Sequence, residues 1–222
     1  GFKIARGEIV AFSDADCVMD ENWLKNSLKY FKDPTVAGVG GINITPAEET
    51  AFGKALGFVL NQAIFSAGSI YGRILKEVKE VKSIPGCNAI YRKKVLDKVL
   101  PMALPLQESL VTAEDYLMNQ KIRQLGFKLL YTPDTIVWHH RRLSFKKFFK
   151  QMYNYAIGRL AIGRQDFKMI NAVHILVGLG LPILVLISFL LLYFKPLWFL
   201  YFFVLGVMFL TTFFLSALIS IK

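Results

Sequence analysis

The chain has 222 residues, a formal net charge of +11, 54% hydrophobic residues and a mean hydropathy of +0.42. This composition is too apolar for an ordinary soluble domain, so we expect a membrane part. The charges are divided accordingly, because Lys195 and Lys222 are the only charged residues after Lys168. We therefore predict a polar domain in residues 1–168 and an apolar domain in residues 169–222.

The basic residues are concentrated in one segment. Residues 141–168 contain eight lysines and arginines and one acid, Asp166. A nucleic-acid-binding surface would spread its charge over the fold, whereas here the charge lies just before an apolar stretch, where anionic lipid headgroups would be. Apolar residues recur at helical spacing among these basic residues, which predicts a basic amphipathic interfacial helix. The pattern leaves open whether this helix is only an anchor or also a platform that holds a lipid-linked acceptor.

Two apolar stretches follow, at residues 171–193 and 197–221. Each exceeds the ~20 residues that a helix needs to cross the hydrocarbon core of a bilayer. The connection between them, residues 194–196, is short, so we predict a transmembrane helical hairpin. The basic segment comes just before the first stretch, and positive charge stays on the cytoplasmic side. The prediction is a multi-pass protein of the cell membrane whose polar domain is cytoplasmic.

Within the polar domain, predicted strands and helices alternate, which indicates an α/β fold. We predict, in chain order, a buried parallel strand at 8–13, a helix at 20–31, a strand at 36–44, a helix at 45–65, a turn and strand at 84–91, a helix at 92–100, a loop at 101–112, a helix at 113–125, and short strands at 128–131 and 135–138. Thr45 is the expected N-cap of its helix, because Pro46 and Glu48 follow at the favoured positions. The Lys/Glu alternation within residues 66–82 predicts either a solvated strand or a mobile lid.

Two pairs of acidic residues are candidates for chemistry. Asp14 and Asp16 follow the first strand, and ligand sites of open α/β sheets lie at the carboxyl ends of strands. Two such carboxylates can hold Mg²⁺ or Mn²⁺, although acids also cap helices after strands. Glu114 and Asp115 open a predicted helix, where they would either complement the helix dipole or include a general base.

Two histidines and two cysteines complete the candidates. His139 and His140 follow a predicted strand, where an imidazole would either complete a metal site or cap the strand. Cys17 and Cys87 are the only cysteines, and neither has a metal-type partner at short spacing. We interpret them as two reduced thiols of a cytosolic domain.

Several stretches, in a fixed order, resemble glycosyltransferase family 2, which has the GT-A fold. These stretches are residues 5–17, 85–92, 113–117, 126–133, 137–140 and 141–149. The resemblance implies that residues 1–140 are the C-terminal part of a GT-A domain, residues 141–168 the interfacial helix and residues 169–222 the hairpin. The first residues read as the end of a helix without an initiating Met, so we expect the family's N-terminal half, with its nucleotide-base site, to precede this chain, and the fragment alone to be inactive.

The resemblance also implies roles for individual residues. Asp115 corresponds to the family's catalytic base, with Glu114 beside it as a support for sugar or acceptor. Asp14 and Asp16 correspond to its Asp-x-Asp motif, with Asp16 as a metal ligand and Asp14 near both the metal and the ribose of the donor. The metal or diphosphate would also contact His139 or His140, and further substrate-binding residues would be Gly86, Cys87, Asn88, Arg92 and Gln151.

The implied activity is an inverting transfer of sugar from a nucleotide-diphospho-sugar to a lipid-linked or glycan acceptor at the cytoplasmic membrane face. The expected cofactor is Mg²⁺ or Mn²⁺, and membrane lipids, but no nucleic acid, are expected partners. Two alternatives are a processive polysaccharide synthase of the same family and an inactive membrane scaffold. Processive members carry Gln-x-x-Arg-Trp, of which this chain keeps Gln151 but has Asn154 and Tyr155 at the last two positions. A single-addition enzyme is therefore favoured.

Overall fold

The structure is a computed structural model that describes residues 4–62, 70–107, 114–141, 144–165, 172–193, 198–207 and 210. The chain divides into two compact units, Gly1–Ile170 and Asn171–Lys222. The first unit contains a sheet with helices, and the second contains helices in its described part.

Six strands of the described residues form one mixed sheet in the first unit. They are β1 (Ile9–Phe12), β2 (Cys17–Met19), β3 (Val36–Ile44), β4 (Lys79–Glu80), β5 (Ala89–Arg92) and β6 (Lys128–His139). The order is β1-β5-β3-β6-β2, with β4 paired to β6 beside this path. β3 and β6 run parallel, and the other pairs are antiparallel. The predicted α/β class is therefore confirmed.

The helices of the first unit lie between and after these strands. They are α1 (Trp23–Leu28), α2 (Ala51–Asn61), α3 (Lys93–Gln107), α4 (Glu114–Gln124) and α5 (Phe145–Gln165), with 3₁₀ turns at Lys29–Lys32 and Gly86–Asn88. The second unit contains α6 (Ala172–Tyr193) and a helical segment at 198–207.

Hydrophobic clusters lie on both faces of the sheet. On one face, α3 and α4 contribute Leu96 and Ile122 to a cluster with Tyr91 of β5. On the other face, Trp23 of α1 packs with Ile90, the residue before Tyr91. Successive side chains of a strand point to opposite faces, so β5 is buried on both sides, as is usual for a central strand.

The longest strand, β6, contains a bulge. Gly41 of β3 pairs with Thr132 and the next residue pairs with Ile136, so residues 133–135 are extra in β6. The prediction of two separate strands at 128–131 and 135–138 was therefore wrong. Pro133 cannot donate to a ladder, and the bulge accommodates it without interrupting the strand. A Cβ at Gly41 would lie 2.1 Å from the carbonyl oxygen of Thr135, so the bulge requires glycine on the facing strand.

Three further expectations differ from the structure. The first strand was predicted to be parallel, but β1 pairs antiparallel with β5 at the edge of the described sheet, because an apolar run does not specify its partner's direction. α2 is capped by Thr50, whose Oγ1 accepts a hydrogen bond from the Gly53 N–H at 3.1 Å, and not by Thr45. α3 extends through Pro101 to Gln107, into the predicted loop. The remaining loop residues, 108–112, lie outside the described ranges.

Other expectations agree with the structure. β3 occupies the predicted residues 36–44. α4 ends just before Gly126, whose φ of +84° is a conformation that favours glycine after a helix. Within residues 70–82, only Lys79–Glu80 forms a strand, and its side chains are exposed. Residues 63–69, which include the predicted end of the helix at 45–65, lie outside the description.

The second unit was predicted to form a transmembrane hairpin. Within it, the hydroxyl oxygens of Ser188 in α6 and Tyr201 in the 198–207 segment lie 3.3 Å apart. Across the described ranges, no helix combines the length and the apolar character that a membrane crossing requires. Residues 171, 194–197, 208–209 and 211–222 of the predicted hairpin lie outside the description, so the hairpin stays a prediction.

Candidate active site

A cavity of about 540 Å³ lies in the first unit, near the ends of β1 and β6. Its walls come from six parts of the chain: the turn after β1, Tyr71 in the segment before β4, the 3₁₀ turn before β5, the start of α4, the end of β6 and one face of α5. The predicted site residues that line it are Asp14, Gly86, Cys87, Glu114, Asp115, His139 and Gln151. Residues from distant parts of the sequence therefore meet in one site.

Asp115 lies in the first turn of α4, in the wall of the cavity. Its carboxylate accepts hydrogen bonds from the backbone N–H of Gly86 at 3.2 Å and of Tyr116 at 2.7 Å. Loss of water around the carboxyl raises the pKa of Asp115 above its ordinary value, although these hydrogen bonds and the nearby Arg159 act in the opposite direction. Asp115 is therefore a carboxylate whose basicity is increased by its surroundings.

Glu114 is more open to solvent than Asp115, although both line the same cavity. Partial loss of water raises the pKa of Glu114, and the negative charges of Asp115 and Asp14 add to this effect. Two neighbouring carboxylates thus act on the ionisation of Glu114.

A second group of residues lies at the same cavity, which Asp14 and His139 line. Ligand atoms of Asp14, Asp16 and His139 all lie within 4.8 Å of one another. Nε2 of His139 is 3.4 Å from Oδ1 of Asp16, and Nδ1 of His139 is 3.2 Å from the hydroxyl oxygen of Tyr71. Two carboxylates and an imidazole are a donor set that suits Mg²⁺ or Mn²⁺.

Strand pairing places this group. Cys17 of β2 pairs with His139 of β6, and the His140 N–H donates a hydrogen bond to the Asp16 carbonyl oxygen at 3.0 Å. Backbone hydrogen bonds therefore hold the Asp-x-Asp turn beside the end of β6.

The structure separates the two candidate histidines. His139 is buried and lines the cavity, whereas the Nδ1 of His140 lies 3.2 Å from Oε2 of Glu49. Glu49 also accepts hydrogen bonds from the N–H groups of Thr50 and Arg141, both at 3.0 Å. Those backbone N–H donors, with His140 beside them, hold the pKa of Glu49 below its ordinary value. His140 thus belongs to a contact that joins β6 to the start of α2, and His139 is the histidine of the cavity.

The two cysteines meet beside the same histidine. Neither cysteine forms a disulfide. The sulfur atoms of Cys17 and Cys87 lie within 4.8 Å of each other and of a ring nitrogen of His139. Their mutual hydrogen bond lowers the pKa of Cys17 and raises that of Cys87. The sequence showed no metal-type partner at short spacing because the partners approach through strand pairing and a distant turn.

Two predicted substrate-binding residues lie away from the cavity lining. Asn88 is fully buried: its Oδ1 accepts from Trp23 Nε1 at 2.8 Å, and its Nδ2 donates to the carbonyl oxygens of Ile42 at 3.1 Å and Thr135 at 3.2 Å. The structure therefore does not bring the Asn88 side chain to the cavity, because the core uses its hydrogen-bonding groups.

Arg92 is likewise not among the residues that line the cavity. Its guanidinium donates to the carbonyl oxygens of Val36 at 2.7 Å and Asp33 at 2.9 Å and to that of Phe31, over whose ring it lies. Arg92 thus fixes the turn before β3.

Sequence reasoning missed several lining residues of α5. Lys147, Lys150 and Asn154 line the cavity together with Gln151. Their spacing of three and four residues places them on one helix face, and this was the available signal. Both lysines had been assigned, with the rest of the basic segment, to lipid headgroups.

The profile of the family described as glycosyl transferase family group 2 matches residues 9–221 of the chain. The chain belongs to this family. The mixed α/β sheet is consistent with a GT-A-like domain, as the sequence resemblance implied.

Two curated glycosyltransferases are similar in sequence. One is the dolichyl N-acetyl-alpha-D-glucosaminyl phosphate 3-beta-D-2,3-diacetamido-2,3-dideoxy-beta-D-glucuronosyltransferase of Methanococcus voltae, 23% identical over 172 residues, which are 75% of this chain and 51% of that protein. The other is an O-antigen chain rhamnosyltransferase of Salmonella typhimurium, 23% identical over 156 residues, which are 68% of this chain and 47% of that protein. The chain thus spans about half the length of these relatives.

A solved glycosyltransferase structure is similar as well. It is a mannosyltransferase from Pyrobaculum calidifontis in complex with GDP-Man and Mn²⁺. The TM-score is 0.47 and the identity 18%, over 75% of this chain and 41% of that one.

The structural assignment of Asn88 predicts a stability effect. Asn88→Ala leaves three buried hydrogen-bonding partners unsatisfied at a cost of about 1–3 kcal/mol each, so the free energy of unfolding should fall by about 3 kcal/mol or more. Chemical denaturation measures this change. The matched control is Asn22→Ala, because the Asn22 side chain makes no capping hydrogen bond at the start of α1. Equal stability of the two variants would contradict the structural role of Asn88.

Proposed function

We propose that the chain carries the catalytic base and the metal-binding group of a glycosyltransferase that moves sugar from a nucleotide-diphospho-sugar to a glycan or lipid-linked acceptor. The observation that supports this most directly is that Asp115 and the group of Asp14 and His139 line one cavity. Family membership supplies the reaction class, and the cavity supplies the groups that the reaction needs.

In this proposal, Asp115 is the general base. As the oxygen of the acceptor hydroxyl bonds to the anomeric carbon, its proton passes to the Asp115 carboxylate, and the bond between that carbon and the diphosphate oxygen breaks. One base is sufficient for such a direct displacement, which inverts the configuration at the anomeric carbon. A raised pKa suits this role, because a base works best when its pKa lies near the operating pH.

Glu114, beside Asp115 and more open to solvent, is suited to accept hydrogen bonds from hydroxyl groups of the acceptor or the sugar. Gly86 contributes through its backbone, since its N–H holds the Asp115 carboxylate in place.

Asp14, Asp16 and His139 are the proposed metal ligands. When bound there, Mg²⁺ or Mn²⁺ would neutralise the charge that develops on the departing diphosphate. The chain's own contribution is to hold two carboxylates and one imidazole nitrogen within 4.8 Å of one another, through the pairing of β2 with β6.

The cationic face of α5 supplies a further group. Lys147 and Lys150 line the cavity that Asp14 and Asp115 also line. Ammonium groups bind phosphate oxygens through charge-assisted hydrogen bonds. We assign these lysines to the diphosphate of the donor.

The opposite face of α5 supports a membrane location. Its exposed side chains include an apolar row with spacings of three and four residues: Phe145, Phe149, Tyr153, Ile157 and Leu160. A basic helix with one apolar side is suited to lie in the headgroup layer. Together with the apolar stretches after residue 168, this row leads us to propose a multi-pass membrane protein whose catalytic domain is cytoplasmic.

The base assignment predicts the effect of Asp115→Asn in the full-length enzyme. Transfer should fall by about 10²- to 10⁴-fold in kcat, because the amide cannot accept the proton. In the wild type, kcat/KM should rise as the pH passes through the raised pKa of Asp115. This rise should be absent from the pH profile of the variant. A chromatographic assay of product formation from a nucleotide-sugar, repeated at a series of pH values, measures both effects.

The control for this prediction is Asp97→Asn, which removes an exposed carboxylate paired with Lys93. It should leave transfer unchanged. Asp115→Asn should also be at least as stable as the wild type at neutral pH: the folded pKa is raised, so charging the carboxyl destabilises the fold as pH rises through that pKa. Normal turnover by a folded Asp115→Asn protein would remove the base assignment, and absence of donor binding by the wild type would favour an inactive scaffold.

The lysine assignment predicts a change in donor affinity. Lys150→Ala should raise the KM for the nucleotide-sugar by about tenfold, because a hydrogen bond to a charged group contributes roughly 1.5–3 kcal/mol. Initial-rate kinetics measure the change. Lys146→Ala is the matched control, since Lys146 is exposed and lies outside the cavity lining. An equal effect of the two substitutions would indicate a general charge effect and contradict the assignment.

The membrane proposal predicts that α5 lies closer to the lipid acyl chains than the polar domain does. The Phe149→Trp variant is placed in vesicles, and the fluorescence of the parent protein is subtracted to isolate the signal of the new tryptophan. Lipids with brominated acyl chains should quench this signal. Lys32→Trp, at an exposed position of the polar domain, is the control and should not be quenched. Equal quenching at both positions, or at neither, would contradict an interfacial α5.

Protease added to inside-out vesicles should cleave the polar domain only if that domain is cytoplasmic.

A further inference from the structure

A group of sulfur and nitrogen atoms lies beside the proposed metal ligands. The sulfur atoms of Cys17 and Cys87 and a ring nitrogen of His139 lie within 4.8 Å of one another. Cys87 and His139 are buried, with 3% and 7% of their surface exposed, and Cys17 is half-buried. From this geometry we propose that Cys17, Cys87 and His139 form a binding site for Zn²⁺ or another thiophilic divalent cation.

The backbone places all three ligands. Cys17 pairs with His139 across the antiparallel β2–β6 ladder, and residues in such a pair have Cβ atoms about 4.5–5.5 Å apart on the same face of the sheet. Cys87 lies in the middle of the 3₁₀ turn Gly86–Asn88. Gly86 in this turn donates to Asp115, and the side chain of Asn88 is held by three hydrogen bonds. The ligands therefore come from two rigid parts of the fold.

The atoms are close to the arrangement that zinc requires. In a tetrahedral site with Zn–S bonds of about 2.3 Å and Zn–N bonds of about 2.0 Å, ligand atoms lie roughly 3.3–3.8 Å apart. Atoms within 4.8 Å of one another reach this geometry through small side-chain movements. Oδ1 of Asp16 lies 4.0 Å from the Cys17 sulfur and 3.4 Å from Nε2 of His139, so this carboxylate, or water, is suited to the fourth position. Binding releases two thiol protons to solvent and changes no oxidation state.

Ligand chemistry separates this site from the oxygen-rich one. Thiolate and imidazole favour Zn²⁺, whereas Asp14 and Asp16 favour Mg²⁺ or Mn²⁺. His139 belongs to both groups. Two divalent cations on one imidazole would lie close together and repel each other, so we expect one to be bound at a time. The zinc site stands on its own geometry; its consequence, inhibition of transfer by excess Zn²⁺, rests on the proposed function.

Cobalt titration tests the site without any activity measurement. Co²⁺ reports tetrahedral thiolate ligation through sulfur-to-metal charge-transfer absorption in the near ultraviolet and through intense visible bands. The full-length protein, kept reduced and free of oxygen, should develop these bands on addition of Co²⁺ and lose them when Zn²⁺ displaces it. The Cys17→Ser variant should lose at least half of the charge-transfer intensity that the wild type shows, because the Cys87 sulfur is then the only proposed thiolate ligand.

The neighbouring histidines provide the matched control. His139→Asn should weaken Co²⁺ binding by about tenfold or more, since loss of a direct ligand costs at least as much as loss of a residue that supports one. His140→Asn should leave binding unchanged, because the His140 ring faces Glu49. Circular dichroism verifies that each variant is folded. A wild-type protein that shows no thiolate band, an undiminished band in folded Cys17→Ser, or equal effects of the two histidine variants would each overturn the proposal. A cobalt band without inhibition of transfer by Zn²⁺ would leave the site in place and contradict only its expected consequence.

Discussion

The buried side chain of Asn88 joins the parts of the fold on which the site depends. Its amide contacts Trp23 of α1, the carbonyl of Ile42 in β3 and the carbonyl of Thr135 in the bulge of β6. Each of these partners is buried or lies within the sheet, so an unpaired group at any of them would carry a large cost. The 3₁₀ turn that ends at Asn88 is thereby fixed, and its other residues, Gly86 and Cys87, reach the cavity from a rigid base.

The same turn connects structure to chemistry. Gly86 donates its N–H to Asp115, and this hydrogen bond opposes the rise in pKa that burial causes. Burial and hydrogen bonding thus act in opposite directions on one carboxylate, and burial dominates. The protein holds a group in surroundings that disfavour its charged form, which lowers stability at neutral pH and increases basicity. This compromise is expected of a site where function, not stability, determines the residue.

Local features of the fold could be predicted from the sequence, and features that depend on distant contacts could not. The strand at 36–44 and the end of α4 just before Gly126 follow from composition and from the backbone freedom of glycine. The continuity of β6 through Pro133 depends on the bulge opposite Gly41, which only the paired strands reveal. For the same reason, Thr45 satisfies the rules for an N-cap, yet its hydroxyl accepts from Arg141 at 3.1 Å and Thr50 takes the cap.

The candidate site shows the same division. The catalytic and metal-binding carboxylates could be proposed from the sequence, because each pair lies next to the end of a predicted strand or helix. They are Asp14 and Asp16, and Glu114 and Asp115. The choice between two adjacent histidines could not be made, because it depends on Glu49 facing only His140. The positions of Asn88 and Arg92 outside the cavity lining could not be predicted, since a polar residue beside a motif looks the same in sequence whether it faces a ligand or the rest of the fold.

Helix α5 combines the two properties that the sequence analysis treated separately. Lys147, Lys150 and Gln151 turn toward the cavity, while Phe149 and Tyr153 are exposed on another face. Because one rigid helix carries both faces, a movement of its apolar side at a lipid surface would also move its lysines relative to Asp115. Coupling of this kind requires no additional element, and it explains why the basic residues need not all serve the same partner. The membrane proposal therefore implies that the composition of the lipid at the apolar side of α5 influences donor binding.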